Sequence, residues 1–241
     1  MISTQTDPVT FSLGPLLRGE AEVIAGWITR WTAGHTLRQV ALIATGAGAF
    51  GAAMGSWRAP EQAAFAAVKL PLILLATAAG NALLNGLLAP LLGLNLRLRE
   101  AFAAVLMSFA LAAAILGAFS PLMAFLVWNL PPLTPGAAEN VTAYSVMLLT
   151  LVAVIAFAGV TANVRLLQLL HRLAGGARGT AARLLLAWLA VNLLLGSQLS
   201  WILRPFIGSP GLPVEFLRAE AWHGNFFESL LNTLRQLWPE F

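Results

Sequence analysis

The 241-residue chain has no cysteine, a single lysine and a single tyrosine, and charged residues make up only 10% of it. Soluble domains carry about 25% charged residues. The absence of cysteine excludes disulfides, thiolate metal sites and cysteine nucleophiles. No acidic residue lies inside a long apolar run, whereas proton- and cation-coupled carriers keep carboxylates there for use. These absences disfavour coupled pumps and carriers and leave a passive pore open.

Catalytic and nucleotide-binding motifs are missing as well. Lys69 follows no glycine-rich loop, so a Walker loop is excluded, and there is no Gly-x-Ser-x-Gly elbow. His35, His171 and His223 are far apart in sequence and form no HExxH pattern. Ser209 lies in a Gly-Ser-Pro-Gly turn. We therefore expect no catalytic residue, no metal, no cofactor and no nucleotide.

The chain is instead rich in apolar residues, which make up 59% of it, and its mean hydropathy is +0.79. Five apolar runs are long enough to cross the ~30 Å hydrocarbon layer as helices. They are residues 38–57, 64–90, 101–130, 141–171 and 181–203. The sequence predicts an all-α polytopic membrane bundle of five transmembrane helices. Interfacial amphipathic helices are expected in the flanking residues 1–37 and 204–241.

Arginine placement predicts the orientation of the bundle. The net charge of +4 comes from arginines at the ends of apolar runs and not from one basic face, so no nucleic-acid partner is expected. The N-terminal segment and the loops predicted on its side hold eight basic residues: Arg18, Arg30, Arg38, Arg97, Arg99, Arg172, Arg178 and Arg183. The opposite loops hold Arg58. The positive-inside rule then places the N-terminus in the cytoplasm and the C-terminus in the periplasm. The preference for arginine over lysine suggests a GC-rich bacterial genome, and hence the bacterial inner membrane.

Local patterns add further expectations. The residues from Pro15 to Trp31 form an amphipathic helix that either lies on the membrane, with tryptophans at headgroup depth, or packs on the bundle. The Gly51-x-x-x-Gly55 pair allows close helix approach, which we expect within the chain rather than in a dimer. Ser120-Pro121 predicts a kink or a break in the third span. Residues 1–18 lack the features of a signal peptide, so the first span is expected to remain as an anchor.

Several polar residues lie inside the predicted spans. Lys69, next to Pro71, either contacts a substrate or lipid phosphate or snorkels to the interface, and we favour snorkelling. We favour the same for Arg165. Four amides lie in these spans: Asn81, Asn85, Asn192 and Gln198. They either line a polar path or join helices by hydrogen bonds, and we favour the second.

A distinctive turn follows the last span. Arg204 ends the span, where its guanidinium can bind lipid phosphate or the open helix carbonyls. Pro205 stops the helix, while Trp201 and Phe206 are expected to anchor at headgroup depth. The turn is either a structural re-entry or a lipid- or partner-binding site built around Arg204.

This Trp-x-x-Arg-Pro-Phe-x-Gly-x-Pro pattern resembles a group of bacterial five-span membrane proteins that are similar in layout to the Yip1 family. Lys69-Leu-Pro71, the Gly51–Gly55 stretch and Asn225-Phe-Phe-Glu228 fit the same group, and the resemblance covers residues 40–230. It implies five spans and a cytosolic N-terminus, but no known activity and no catalytic residues. The GTPase partners of eukaryotic members are not implied, because their long N-terminal region is absent here.

The sequence therefore favours a non-enzymatic scaffold or interaction subunit of a membrane assembly, with membrane lipids and other membrane proteins as partners. The alternative is a small channel or a lipid or solute transporter. A membrane enzyme acting on lipid headgroups ranks third, because no acid–base pair is visible. Polar span residues that converge on one wet cavity would favour transport, whereas pairing between helices would favour the scaffold.

Overall fold

A computed structural model describes residues 12–94, 97–133, 139–208 and 212–237. These residues form eight helices and no strand. The helices are α1 (Leu13–Arg18), α2 (Ala21–Thr29), α3 (Ala33–Gly55), α4 (Pro60–Leu91), α5 (Leu98–Asn129), α6 (Glu139–Leu173), α7 (Arg178–Leu203) and α8 (Phe226–Leu237). Helices α3 to α7 are long and apolar enough to cross a membrane. The predicted all-α bundle with five candidate spans is confirmed.

All five spans begin a few residues before their apolar runs, and capping groups or a proline mark the starts of α3, α4 and α5. The Thr32 side chain accepts a hydrogen bond from the His35 backbone at 3.4 Å, and the His35 ring accepts one from the Thr32 backbone at 3.2 Å. Pro60 is the first residue of α4. A backbone N–H at this position would have no partner within the helix, so proline costs nothing there. Glu100 accepts from the Arg97 backbone at 3.0 Å at the start of α5. Hydropathy therefore locates the spans, and capping sets their first residues.

The break suggested by Ser120-Pro121 is wrong, because α5 is one continuous helix. Pro121 has no N–H to donate to the Gly117 carbonyl one turn earlier. The Ser120 hydroxyl donates to that same carbonyl at 2.7 Å. A side chain thus satisfies the acceptor that the proline leaves open, which is how membrane helices tolerate proline.

Helix α3 packs closely against both α4 and α5 because glycines line its contacts. A Cβ atom added at Gly51 would lie 2.3 Å from the carbonyl oxygen of Ala66 in α4. One added at Gly46 would lie 2.2 Å from the carbonyl oxygen of Ala113 in α5. One added at Gly55 would lie 2.6 Å from the carbonyl oxygen of Gln62 in α4. The Gly51–Gly55 pair thus packs within the chain, as predicted.

The N-terminal helices pack on the bundle, which decides between the two alternatives for this segment. Ile24, Trp27 and Ile28 of α2 are at most 2% exposed. Packing on the bundle is therefore the alternative that holds for α2, which contacts α5 and α6.

Polar contacts fix these helices to one end of the bundle. Arg172 of α6 forms an ion pair with Glu22. Arg165 donates to the Leu17 carbonyl at 3.2 Å and thereby holds α1. We call this end, with the α4–α5 and α6–α7 loops, the N-terminal face. The opposite end, with the chain that follows α7, is the C-terminal face.

Replacing Gly51 by alanine should lower the free energy of unfolding by about 1–3 kcal/mol, because the new methyl group forces α3 away from the α4 backbone. Thermal stability of the detergent-solubilised protein, followed by fluorescence-detected gel filtration, measures the loss. Gly159→Ala is the matched control in α6, since nothing lies within 4 Å of the added Cβ. Equal midpoints for the two variants would contradict the close α3–α4 contact.

Candidate functional site

The chain that follows α7 folds back over the beginning of α4. We call residues 204–208 the return turn. The Gln62 amide donates to the carbonyls of Pro205 at 3.0 Å and Phe206 at 2.8 Å. Lys69 Nζ donates to the Pro205 carbonyl at 3.0 Å. Two α4 side chains therefore hold the return turn against the helix.

Lys69 does not snorkel, because the return turn brings an acceptor to it. Its side chain is completely buried. Besides the Pro205 carbonyl, Nζ lies 5.2 Å from the centre of the Phe216 ring, a cation–π distance. Neither of the ion pairs found in the described ranges involves Lys69. The prediction that Lys69 snorkels to the interface was wrong, because its ammonium group makes a structural contact within the protein.

Arg204 lies at the end of α7 with its guanidinium stacked on Trp201. The distance from Cζ to the indole ring centre is 3.5 Å, and Nη1 donates to the Trp201 carbonyl at 2.9 Å. Burial lowers the pKa of Arg204, and so does the charge of Arg218, while Glu220 acts in the opposite direction. Arg204 thus satisfies an open helix carbonyl, as the sequence suggested, and faces a second cation, Arg218.

These two arginines line a cavity of about 290 Å³ at the C-terminal face, which we call the terminal cavity. Its lining combines the start of α6 with the return turn: Tyr144, Leu148, Leu151, Arg204, Pro205, Phe206, Ile207, Gly208 and Arg218. The lining holds two guanidinium groups and no carboxylate. On its other side, Arg218 borders a smaller hollow with Glu215 and Glu220. The terminal cavity therefore favours an anion.

The amides of the spans join helices. Asn81 of α4 donates to the Asn192 side chain and, at 3.3 Å, to the Trp188 carbonyl, both in α7. Asn85 donates to Asn81. Gln198 accepts a hydrogen bond from the Phe226 backbone at 3.3 Å and thereby holds the start of α8. The pair Asn81–Asn192 therefore joins α4 to α7, Asn85 bonds within α4, and Gln198 joins α7 to α8.

A second cavity of about 250 Å³, the mid-span cavity, lies deeper among α4, α5, α6 and α7. Its polar lining groups are Thr77, Ser108, Asn163, Asn192 and Ser200. The Thr77 hydroxyl is buried with no hydrogen-bond partner in the described ranges. Among the residues singled out from the sequence, Asn192 alone lines this cavity, while Arg204 and Phe206 line the terminal one. The candidates are therefore not brought together in a single site.

The C-terminal helix begins at Phe226, directly after a polar cap. The Asn225 side chain accepts from the Glu228 backbone at 2.8 Å, which caps α8. Leu230 and Leu231 are about half exposed. This apolar, uncovered face suits a helix that lies back on a membrane.

Two residues of the site escaped the sequence reasoning. Gln62 stands before the apolar run of the second span, where it resembles an ordinary first-turn residue. Arg218 lies in a stretch rich in proline and glycine, without a periodicity that could indicate its neighbours. Only the path of the return turn brings the two into the site.

Comparisons with family models, with curated proteins and with solved structures gave no match to this chain. The resemblance to Yip1-like bacterial proteins therefore stays a prediction.

Removing both α4 donors should release the return turn. Because the chain has no cysteine, the substitution Ile207→Cys gives a unique thiol at a position that is 4% exposed. In the Gln62→Leu/Lys69→Met background we expect maleimide labelling of this thiol to be at least roughly tenfold faster, because local opening exposes it. Ser56→Cys, at an exposed position of the same face, should react equally fast in both backgrounds. An unchanged rate at position 207 would mean that other contacts hold the turn.

Proposed function

We propose that this chain is a non-enzymatic integral membrane protein that acts as a scaffold or interaction subunit of a bacterial inner-membrane assembly. The observation that supports this proposal best is that polar residues of the spans bind other parts of the chain. Lys69 binds the return turn, and Asn81 binds Asn192 across α4 and α7. Such contacts stabilise one arrangement of helices, as a rigid binding frame requires.

The last two spans offer the surface for a partner. Only 6% of the most apolar stretch of α7 is buried inside the protein, compared with 22% in α6 and 61% in α5. Leu186, Leu193 and Leu194 of α7 are all more than half exposed. We infer that the partner is another membrane protein, one of whose helices packs along α7.

One observation favours the alternative function, a small channel or a lipid or solute transporter. The mid-span cavity contains the unpartnered Thr77 hydroxyl and several other polar groups. A polar solute or water would satisfy them. A membrane enzyme remains the weakest proposal, since neither cavity lining contains a carboxylate or a histidine.

A photoreactive amino acid at position 194 should cross-link α7 to one defined membrane protein in native membranes. The control is position 83 of α4, because Leu83 is as exposed as Leu194, at 57% against 56%. We expect a discrete protein adduct, seen as a band shift and identified by mass spectrometry, from position 194 alone.

The same purified protein in liposomes should conduct neither ions nor small solutes. Lipid adducts alone at both positions would contradict the partner, and a solute flux that falls with Lys69→Met would favour the channel.

The proposed orientation has a separate test. Intact cells with a permeabilised outer membrane should allow a membrane-impermeant maleimide to label Ser56→Cys in the α3–α4 loop. Gly176→Cys in the α6–α7 loop should react only after the inner membrane is opened. The positive-inside distribution of arginines is the reason for this expectation. The reverse labelling pattern would place the N-terminus outside.

A further inference from the structure

The two cavities lie in register along the same pair of helices. On α6, the terminal cavity ends at Leu151 and the mid-span cavity begins at Ile155. On α7 and the return turn, the mid-span cavity reaches Ser200 and the terminal cavity begins at Arg204. Both steps are one helical turn, about 6 Å of rise. The two cavities thus follow one another along α6 and the end of α7, and the deeper one is also lined by α4 and α5. We call this succession of cavities the groove.

The groove has a cationic end and an apolar wall. Arg204 and Arg218 stand at its outer end, and the lining residues there include no carboxylate. Leucine and isoleucine side chains of α6 form the wall that leads inward. Leu148 and Ile155 belong to this wall and are more than 40% exposed, so the groove reaches the surface that faces lipid.

The length of the groove fits one membrane leaflet. Arg204 and Asn192 mark its two ends along α7, and the helical rise between them is about 18 Å. Half of the hydrocarbon layer is about 15 Å thick. A single acyl chain that hangs from a headgroup at Arg204 would thus end near Asn192.

We propose that this groove binds one phospholipid with a negatively charged headgroup, whose phosphate contacts Arg204 and Arg218 while one acyl chain follows α6 and α7. Guanidinium groups bind phosphate through paired, charge-assisted hydrogen bonds. Lys69 is a positioning residue in this site, because its ammonium group already binds the Pro205 carbonyl. The proposal is independent of the protein partner of α7, which cross-linking tests separately.

The headgroup end is tested with the purified protein in detergent. Phosphatidylglycerol and phosphatidylethanolamine are added in equal amounts, and native mass spectrometry measures the fraction of protein that retains each lipid. We expect the parent protein to retain phosphatidylglycerol preferentially. Arg204→Gln/Arg218→Gln should weaken that binding by roughly tenfold or more. Arg178→Gln, an exposed arginine at the other end of α7, is the matched control and should change nothing.

Arg218→Gln alone keeps the test decisive if the double variant does not fold, since Arg218 stabilises no helix end. It should lower retention of phosphatidylglycerol several-fold. Equal retention of both lipids by the parent, or unchanged retention in Arg218→Gln, would overturn the proposal.

The acyl-chain end is tested by filling the groove. Gly159 lines the mid-span cavity, and nothing lies within 4 Å of a Cβ atom added to it. Gly159→Leu should therefore weaken phosphatidylglycerol binding several-fold, because the added side chain occupies space in the cavity. Val160→Leu is the control, because Val160 is the next residue and is 65% exposed.

A final arm distinguishes the lipid from a free anion. Inorganic phosphate in millimolar excess should not displace phosphatidylglycerol from the parent protein, because it lacks the acyl contacts. Displacement by phosphate, together with unchanged binding in Gly159→Leu, would identify a soluble-anion site and overturn the lipid proposal.

Discussion

Hydrocarbon supplies no hydrogen-bond partner, and this constraint explains the main polar contacts of the five spans. The polar groups that make them find their partners within the chain. Ser120 repairs the carbonyl left open by Pro121, and Asn81 joins α4 to α7. Lys69 is the extreme case, since a buried ammonium group is among the most costly groups in a bilayer. Its partner is a backbone carbonyl of the return turn, so the turn must stay folded against α4 for the bundle to be stable.

The return turn is therefore part of the membrane domain and does more than connect α7 to the tail. Gln62 and Lys69 hold its carbonyls, and Phe65 of α4 packs edge-to-face on Phe216 at 5.5 Å between ring centres. At the same end, Trp57 donates to the Pro131 carbonyl at 3.1 Å and stacks on Tyr144. These contacts tie the start of α4 to the beginning of α6 and the end of α7. The outer end of the groove is therefore held in place by contacts that α4 makes.

The spans could be predicted because their signal is local. An apolar run of sufficient length needs no knowledge of its neighbours, and the asparagines of α4 and α7 had few alternatives to pairing with each other. Close packing at Gly51 could also be anticipated, because a missing side chain has the same consequence whichever helix approaches. In each case the physical reason lies in the residue and its immediate sequence.

The failures share the opposite property. Snorkelling was the reasonable expectation for Lys69 as long as no acceptor was known near it, and that acceptor is 136 positions away in sequence. The amphipathic pattern around Trp27 left two alternatives open, and only the contacts of α2 with α5 and α6 decide between them. Ser120 was expected to mark a helix break, whereas its hydroxyl binds the carbonyl that Pro121 leaves open and α5 continues. Long-range contacts decided each of these outcomes, and a single sequence without homologues contains no record of them.

The charge distribution at the C-terminal face follows from the same geometry. By folding back to satisfy Lys69, the return turn also brings Arg204 towards Arg218, whose charge adds to burial in lowering the pKa of Arg204. Glu220 offsets this repulsion only from one side, because the terminal cavity between the two arginines contains no acid. An anion in that cavity would relieve the repulsion. The membrane offers a high local concentration of such anions as phosphate headgroups, so the fold-back that gives Lys69 its partner also creates the site that we propose for a lipid.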